Sequence, residues 1–254
     1  MVSSVAIVAG LGNGSGTGGA AARLFAKEGY AVALISRGVE SLNALASSIK
    51  ESGGKANAFP VPAYGPDEIA AAFSAIHEQY PSSEYAIKVV IFNIAQRTWK
   101  PFLQLTAEDI RESNKVNIES SFAFARGAIL AFQQNEAATS TGKGTLVFTG
   151  ATASVRGNVI TSAFASGKFA VRALAQSLAK EFGKQDIHAI IDGAIATGNV
   201  PGDRNSPPSG PVENSTPESK LSPESIAAAY LYLVNQDRSA WTWELDLRPA
   251  HEKW

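Results

Sequence analysis

Short apolar runs rich in β-branched residues alternate along the chain with longer stretches whose apolar residues recur every three or four positions. The short runs predict buried strands at 5–9, 30–35, 56–61, 86–92, 144–148, 187–191 and 240–247. The longer stretches predict helices at 17–28, 41–51, 67–79, 107–132, 162–182 and 223–235, the fourth interrupted near Ser113. Gly29 ends the first helix, Gly53 and Gly54 end the second, and Pro66 opens the third. Strands that are apolar throughout are buried on both faces. Their alternation with helices predicts a three-layer, doubly wound α/β fold of the Rossmann type: a parallel sheet of about seven strands with helices on both sides.

One segment breaks the pattern. Residues 193–222 hold five prolines among Gly, Ser and Asn, with almost no apolar period. A segment that polar cannot pack as a core element, so it predicts a mobile substrate lid. No other linker divides the chain, and 254 residues suit one large domain, 1–254.

Composition narrows the function classes. With 22 basic and 23 acidic side chains the net charge is −1, so neither nucleic acid nor an anionic membrane surface would be strongly attracted. The absence of cysteine excludes disulfides, thiol catalysis and thiolate metal sites. His77, His188 and His251 lie too far apart in sequence for metal-ligand spacing, so no metal is expected. His188, inside a predicted strand, reads as a hydrogen-bonded core residue. No apolar run has transmembrane length and no signal sequence opens the chain, so a cytoplasmic location is expected.

The chemistry begins in "VAGLGNGSGTGGAAARLFAKEG". Glycines at 10, 12, 14, 16, 18 and 19 join the first strand to the first helix. Backbone without Cβ can approach a pyrophosphate closely, and a helix N-terminus offers free N–H groups and the positive end of its dipole. Strand, loop and helix in that order predict a dinucleotide site. A carboxylate for the adenosine ribose is expected at the end of the second strand, yet "ALISRG" ends in Ser36 and Arg37. A carboxylate would repel a 2′-phosphate, whereas a guanidinium pairs with it, so NADP(H) is the expected cofactor.

Here the chain resembles the short-chain dehydrogenase/reductase superfamily, from Val5 to about Thr197. Gly12, Gly16 and Gly18 resemble its T-G-x-x-x-G-x-G motif, with Leu11 in place of Thr. "FNIA" resembles N-N-A-G, keeping Asn93. "KVNIESSF" resembles the stretch bearing the family's structural asparagine, here Asn117. "FASGK" resembles Y-x-x-x-K, with Lys168 kept and Phe164 in place of tyrosine. "IDGAIAT" resembles P-G-x-x-x-T, with Asp192 for Pro and Thr197 kept. Counting thirteen residues back from Phe164 reaches Ala151, where the family has serine.

The resemblance implies an NADP(H)-dependent oxidoreductase acting on a small carbonyl or imine, in a homodimer or homotetramer. It implies cofactor contacts from Gly12, Asn13, Ser15, Gly16, Thr17, Gly18, Ser36, Arg37, Asn93, Ala95, Lys168, Asp192 and Thr197. Asn117 would support Lys168, and Phe164 and Ala151 would line the reaction site.

Hydride addition to a ketone builds an alkoxide that a positioned acid must protonate, and neither Phe164 nor Ala151 has a proton to give. Three readings follow. Another donor substitutes, with Thr152, Ser154, Arg156 and Asp192 nearest in sequence. Or the substrate is an iminium that needs no acid. Or the cofactor is not consumed, and the chain is a redox-silent binder or a non-redox isomerase or cyclase. Arg97 and Trp99, just past the fourth strand, and Arg156 are candidate substrate-pocket residues. Trp241 and Trp243 are expected on one face of an edge strand.

Overall fold

The structure, a computed structural model, describes residues 2–137, 140–192 and 221–251. Seven strands form one parallel sheet: β1 (Ser3–Ala9), β2 (Ala31–Ser36), β3 (Lys55–Pro60), β4 (Tyr85–Phe92), β5 (Gly144–Thr149), β6 (Ile187–Asp192) and β7 (Glu244–Leu245). Their order is β3-β2-β1-β4-β5-β6-β7, the expected doubly wound fold. The expected lid at 193–222 lies outside the described residues apart from its last two.

Period-two alternation sorts each strand's side chains between two cores. Val5, Ile7 and Ala9 face one side of β1 with Val90 and Phe92 of β4, whereas Ala6 and Val8 face the other with Val89 and Ile91. The first side is covered by α3 (Pro66–Gln79), α5 (Ser120–Gln133) and α6 (Ser162–Phe182). The second is covered by α1 (Thr17–Lys27), α2 (Val39–Glu51) and α7 (Pro223–Val234). Phe92, Phe124, Phe132 and Phe148 are fully buried in the first core, each contributing about 2–3 kcal/mol of transfer free energy.

The predicted break near Ser113 is a π turn. α4 (Ala107–Asn114) runs into a five-residue π segment at Lys115–Glu119 and then into α5. Such wide turns inside helices recur at functional sites, and this one presents Asn117.

The last predicted strand is much shorter than 240–247. Just before it, Gln236 Oε1 accepts from the Thr242 N–H at 3.0 Å and Gln236 Nε2 donates to the Thr242 hydroxyl at 2.8 Å. The two tryptophans also part company. Trp241 stacks flat on His188, centroids 4.6 Å apart, while Trp243 is half-exposed. His188 is the core residue expected. Its Nε2 donates to the Thr242 carbonyl at 2.8 Å, its Nδ1 is buried without a partner, and burial holds its pKa down to about 4.

β1 lies between β2 and β4, so successive crossovers leave it in opposite directions. The crevice beyond the carboxyl ends of β1 and β4 is where an open α/β sheet binds ligand.

Candidate active site

A cavity of about 710 Å³ fills that crevice. One half is built by the turn from β1 into α1. A Cβ on Gly18 would lie 2.7 Å from the Gly10 carbonyl oxygen, so α1 can start this close to β1 only with glycine there. Gly12, at φ +57°, and Gly16 have nothing within 4 Å of where a Cβ would stand, because both face the cavity. Side chains hold the turn in shape. Arg23 donates twice to the Gly14 carbonyl, at 2.9 and 2.8 Å. Asn13 accepts from the Ser15 amide at 3.1 Å and from its hydroxyl at 2.7 Å. Asn93, at the end of β4, donates to the Gly10 carbonyl at 2.6 Å and ties β4 to the turn. The first turn of α1 has no acidic residue and no side-chain cap, so its N–H groups and positive dipole end face the cavity unopposed.

Past the end of β2, Arg37 lays its guanidinium 4.8 Å from the centre of the Tyr64 ring. Strand alternation turns the preceding residue inward. Ser36 is buried, its hydroxyl 3.4 Å from the Tyr64 hydroxyl, and it stands behind the cavity wall.

The other half lies beyond β4 and β5. Phe164 and Lys168 are one helical turn apart on α6, so both reach the same wall. Lys168 is buried, and Nζ donates to the Thr149 carbonyl at 2.7 Å while lying 5.9 Å from the centre of the Phe164 ring. Trp99 meets Phe164 edge to face at 6.4 Å. Ala151 and Ala153 complete an apolar floor. Asn117 stands behind the wall: Oδ1 accepts from the Gln96 amide at 2.8 Å and Nδ2 donates to the Gln96 carbonyl at 3.1 Å. Gln96 itself lines the cavity.

Comparison with known proteins agrees with this fold. The family model described as short chain dehydrogenase matches residues 4–206. The chain belongs to the short-chain dehydrogenase family. The family model and the relatives that follow carry the names of dehydrogenases. Over 112 residues, 43% of this chain and 42% of the relative, it is 30% identical to the L-2,3-butanediol dehydrogenase of Corynebacterium glutamicum. Over 239 residues, 87% of this chain and 83% of the relative, it is 26% identical to the 7alpha-hydroxysteroid dehydrogenase of Clostridium sardiniense. Among solved structures, a short-chain dehydrogenase from Rhodopseudomonas palustris superposes with a TM-score of 0.77 and 30% identity, covering 97% of this chain and 98% of that one. An alcohol dehydrogenase from the archaeon Thermococcus sibiricus, complexed with 5-hydroxy-NADP, shares the fold at a TM-score of 0.81 and 22% identity, covering 99% and 98%.

Most residues singled out from the sequence meet in this one cavity. Gly12, Asn13, Ser15, Gly16, Thr17, Gly18, Arg37, Asn93, Ala95 and Lys168 line it, and so do Arg97, Trp99, Ala151, Thr152, Arg156 and Phe164. Ser36 and Asn117 stand one layer back. The Asp192 backbone ends β6, while its side chain and all of Thr197 lie outside the described residues.

Two contacts were not legible in the sequence. The Thr152 hydroxyl accepts from Arg248 Nη1 at 3.0 Å. Thr149 Oγ1 and the buried Tyr230 hydroxyl are 2.8 Å apart. Arg248 in turn pairs with Asp246 at 2.7 Å. Among the described residues no cluster of His, Asp or Glu could hold a metal, and no helix is long and apolar enough to cross a membrane.

Proposed function

We propose that this chain is an NADP(H)-dependent oxidoreductase acting on a small carbonyl or imine compound, atypical in having Phe164 and Ala151 where a hydroxylic acid pair is expected. The observation that supports this best is a glycine turn open to the cavity, with a guanidinium and no carboxylate just past the end of β2. These residues fit a phosphorylated dinucleotide. Gly12, Asn13, Ser15, Gly16, Thr17 and Gly18 would hold its pyrophosphate, and Arg37, braced by Tyr64, its 2′-phosphate. Asn93 and Ala95 would lie against the adenosine side, and Lys168 would hold the nicotinamide ribose hydroxyls. Asp192 and Thr197 are assigned to the cofactor from the resemblance alone. When bound, such a cofactor supplies or accepts a hydride.

The protein's own part is to place the substrate over Phe164 and Ala151 and to exclude water there. Ser36 acts through Tyr64 and Asn117 through the Gln96 backbone, so both are positioning residues. Thr152 is a weak candidate for the missing acid: its free pKa is too high, and the cationic Arg248 supports its anion without supplying a proton path. The proton-free floor also supports a second reading, in which the bound cofactor is not consumed and the chain is a non-redox isomerase or cyclase, or a binder. Exposed Phe122, Leu130 and Phe169 on α5 and α6 favour a homodimer or homotetramer through those helices.

The test is NADPH binding followed by NADPH consumption against a panel of ketones and cyclic imines. Consumption stoichiometric with product supports the reductase reading. Tight binding with substrate turnover and no net consumption supports the second. Failure to bind NADPH defeats both. Carbonyl reduction gained by Phe164→Tyr would mean that the rest of the site is competent.

A further inference from the structure

The cavity's charge differs from that of the chain. Acidic and basic side chains nearly balance over the whole sequence, 23 to 22. Among the described residues lining the cavity, four are cationic (Arg37, Arg97, Arg156 and Lys168) and none is acidic. Arg37 and Lys168 are accounted for by the cofactor reading. Arg97 and Arg156 are not.

Both stand at the substrate end. Arg97 follows β4, next to Gln96 and two residues before Trp99. Arg156 follows β5, past Ala151 and Ala153. β4 and β5 are neighbours in the sheet, and the segments beyond them are joined by a hydrogen bond from the Lys100 amide to the Ile160 carbonyl at 3.0 Å. Ile160 has φ +60°, a region that costs a β-branched residue free energy. The fold tolerates that cost where it fastens the Arg156 segment to the Arg97 segment. Half-buried Arg97 and exposed Arg156 thus line the same cavity as Trp99, Phe164 and Ala151.

We infer that the substrate is an organic anion: an apolar or flat body seated on Trp99 and Phe164, with a carboxylate or phosphate received by Arg97 and Arg156. This rests on the proposed function and names its substrate class. Each guanidinium has other contacts in the protein, but five N–H donors in a planar fork let a second acceptor share it. A low-dielectric floor beside the charges strengthens the pairing. The same charges weigh against a substrate whose only charge is an iminium, which would approach Arg97, Arg156 and Lys168 with no carboxylate among the described lining residues to receive it.

The experiment is calorimetric binding to the NADP⁺-saturated protein, which keeps the probes off the phosphate sites and does not depend on turnover. The probes are benzoylformate, its methyl ester and phenyl phosphate. Benzoylformate or phenyl phosphate should bind about tenfold or more tightly than the ester, and the tighter of the two says whether the anion is a carboxylate or a phosphate. The preference should weaken with added salt. Arg97→Gln and Arg156→Gln should each remove most of it while leaving NADP⁺ affinity unchanged, which also shows that the variants fold. Equal affinity for anions and ester, absence of binding by all three, or an anion preference that survives both substitutions overturns the inference. Loss of NADP⁺ binding by the unmodified protein is a separate result and strikes the cofactor reading.

Discussion

The two halves of the cavity differ in what their hydrogen bonds are for. In the half around the glycine turn, side chains fix a backbone: Arg23 on Gly14, Asn13 on Ser15 and Asn93 on Gly10. In the half around Phe164, the bonds run outward from the reaction site. Lys168 holds the Thr149 carbonyl, Asn117 holds Gln96 and Arg248 holds Thr152, while the floor itself is Phe164, Ala151 and Ala153. One half is a glycine turn open to the cavity, and the other a braced wall around an apolar floor. On the proposed reading, cofactor recognition and acid catalysis are separable in this chain.

The most damaging way to break this contrast is Gly18→Val, whose side chain would meet the Gly10 carbonyl and the Asn93 amide. NADPH binding, followed by nicotinamide fluorescence, should fall below detection, and thermal stability should fall with it. Arg37→Glu should be gentler and more selective. Replacing the guanidinium with a carboxylate should cost about hundredfold in NADPH affinity, with NADH affinity equal or improved. A loss of both cofactors alike would remove Arg37 from the 2′-phosphate role.

A third prediction separates the fold's response to acid from the site's. His188 is held neutral, with its pKa about 4 rather than 6.5, because burial disfavours its charged form. The unfolded chain therefore takes up this proton first, and stability is fully present above about pH 6.5. It should be lost as pH falls from 6.5 toward 4, by at most about 1.4 kcal/mol per pH unit. Denaturant unfolding of His188→Gln over that range should show a flatter profile. An unchanged profile would mean that another group dominates. The smallest effect is expected from Trp99→Phe. The indole N–H is buried without a partner beside Phe164, so removing it while keeping a ring should shift stability by under about 1 kcal/mol in either direction. A large loss would show that the N–H has a role in the substrate half.

The glycine half was legible in the sequence because its logic is local. Six glycines running from the end of an apolar run into the first turn of a helix can serve few purposes, and Arg37 follows the strand by a single residue. Phe164 and Lys168 were legible through the resemblance of "FASGK" to Y-x-x-x-K, whose spacing of four puts both on one helix face. Ser36 shows a nearer limit: alternation along β2 turns it inward even though it adjoins the binding edge. Arg248 and Thr152 lie 96 positions apart, and Tyr230 and Thr149 lie 81 apart. Nothing in either neighbourhood announces the other. The length of β7 was misread for a related reason. Alternation in "WTWELDL" is real, but strand length is set by pairing with a distant segment, and only Glu244 and Leu245 pair with β6.

That brevity has a kinetic side. With only two residues in β7, the chain from 241 to 248 is fastened by the side chains of Arg172 and Gln176 on Glu244, Gln236 on Thr242 and Arg248 on Thr152. Side-chain fastenings release one at a time, whereas the ladders of β1 to β6 open together. Amide protons of this strap should therefore exchange with solvent long before those of the central strands. Each opening that frees Arg248 also frees the hydroxyl of Thr152, so the wall of the reaction site changes its hydrogen bonding at a rate set by a strap on the sheet's far edge.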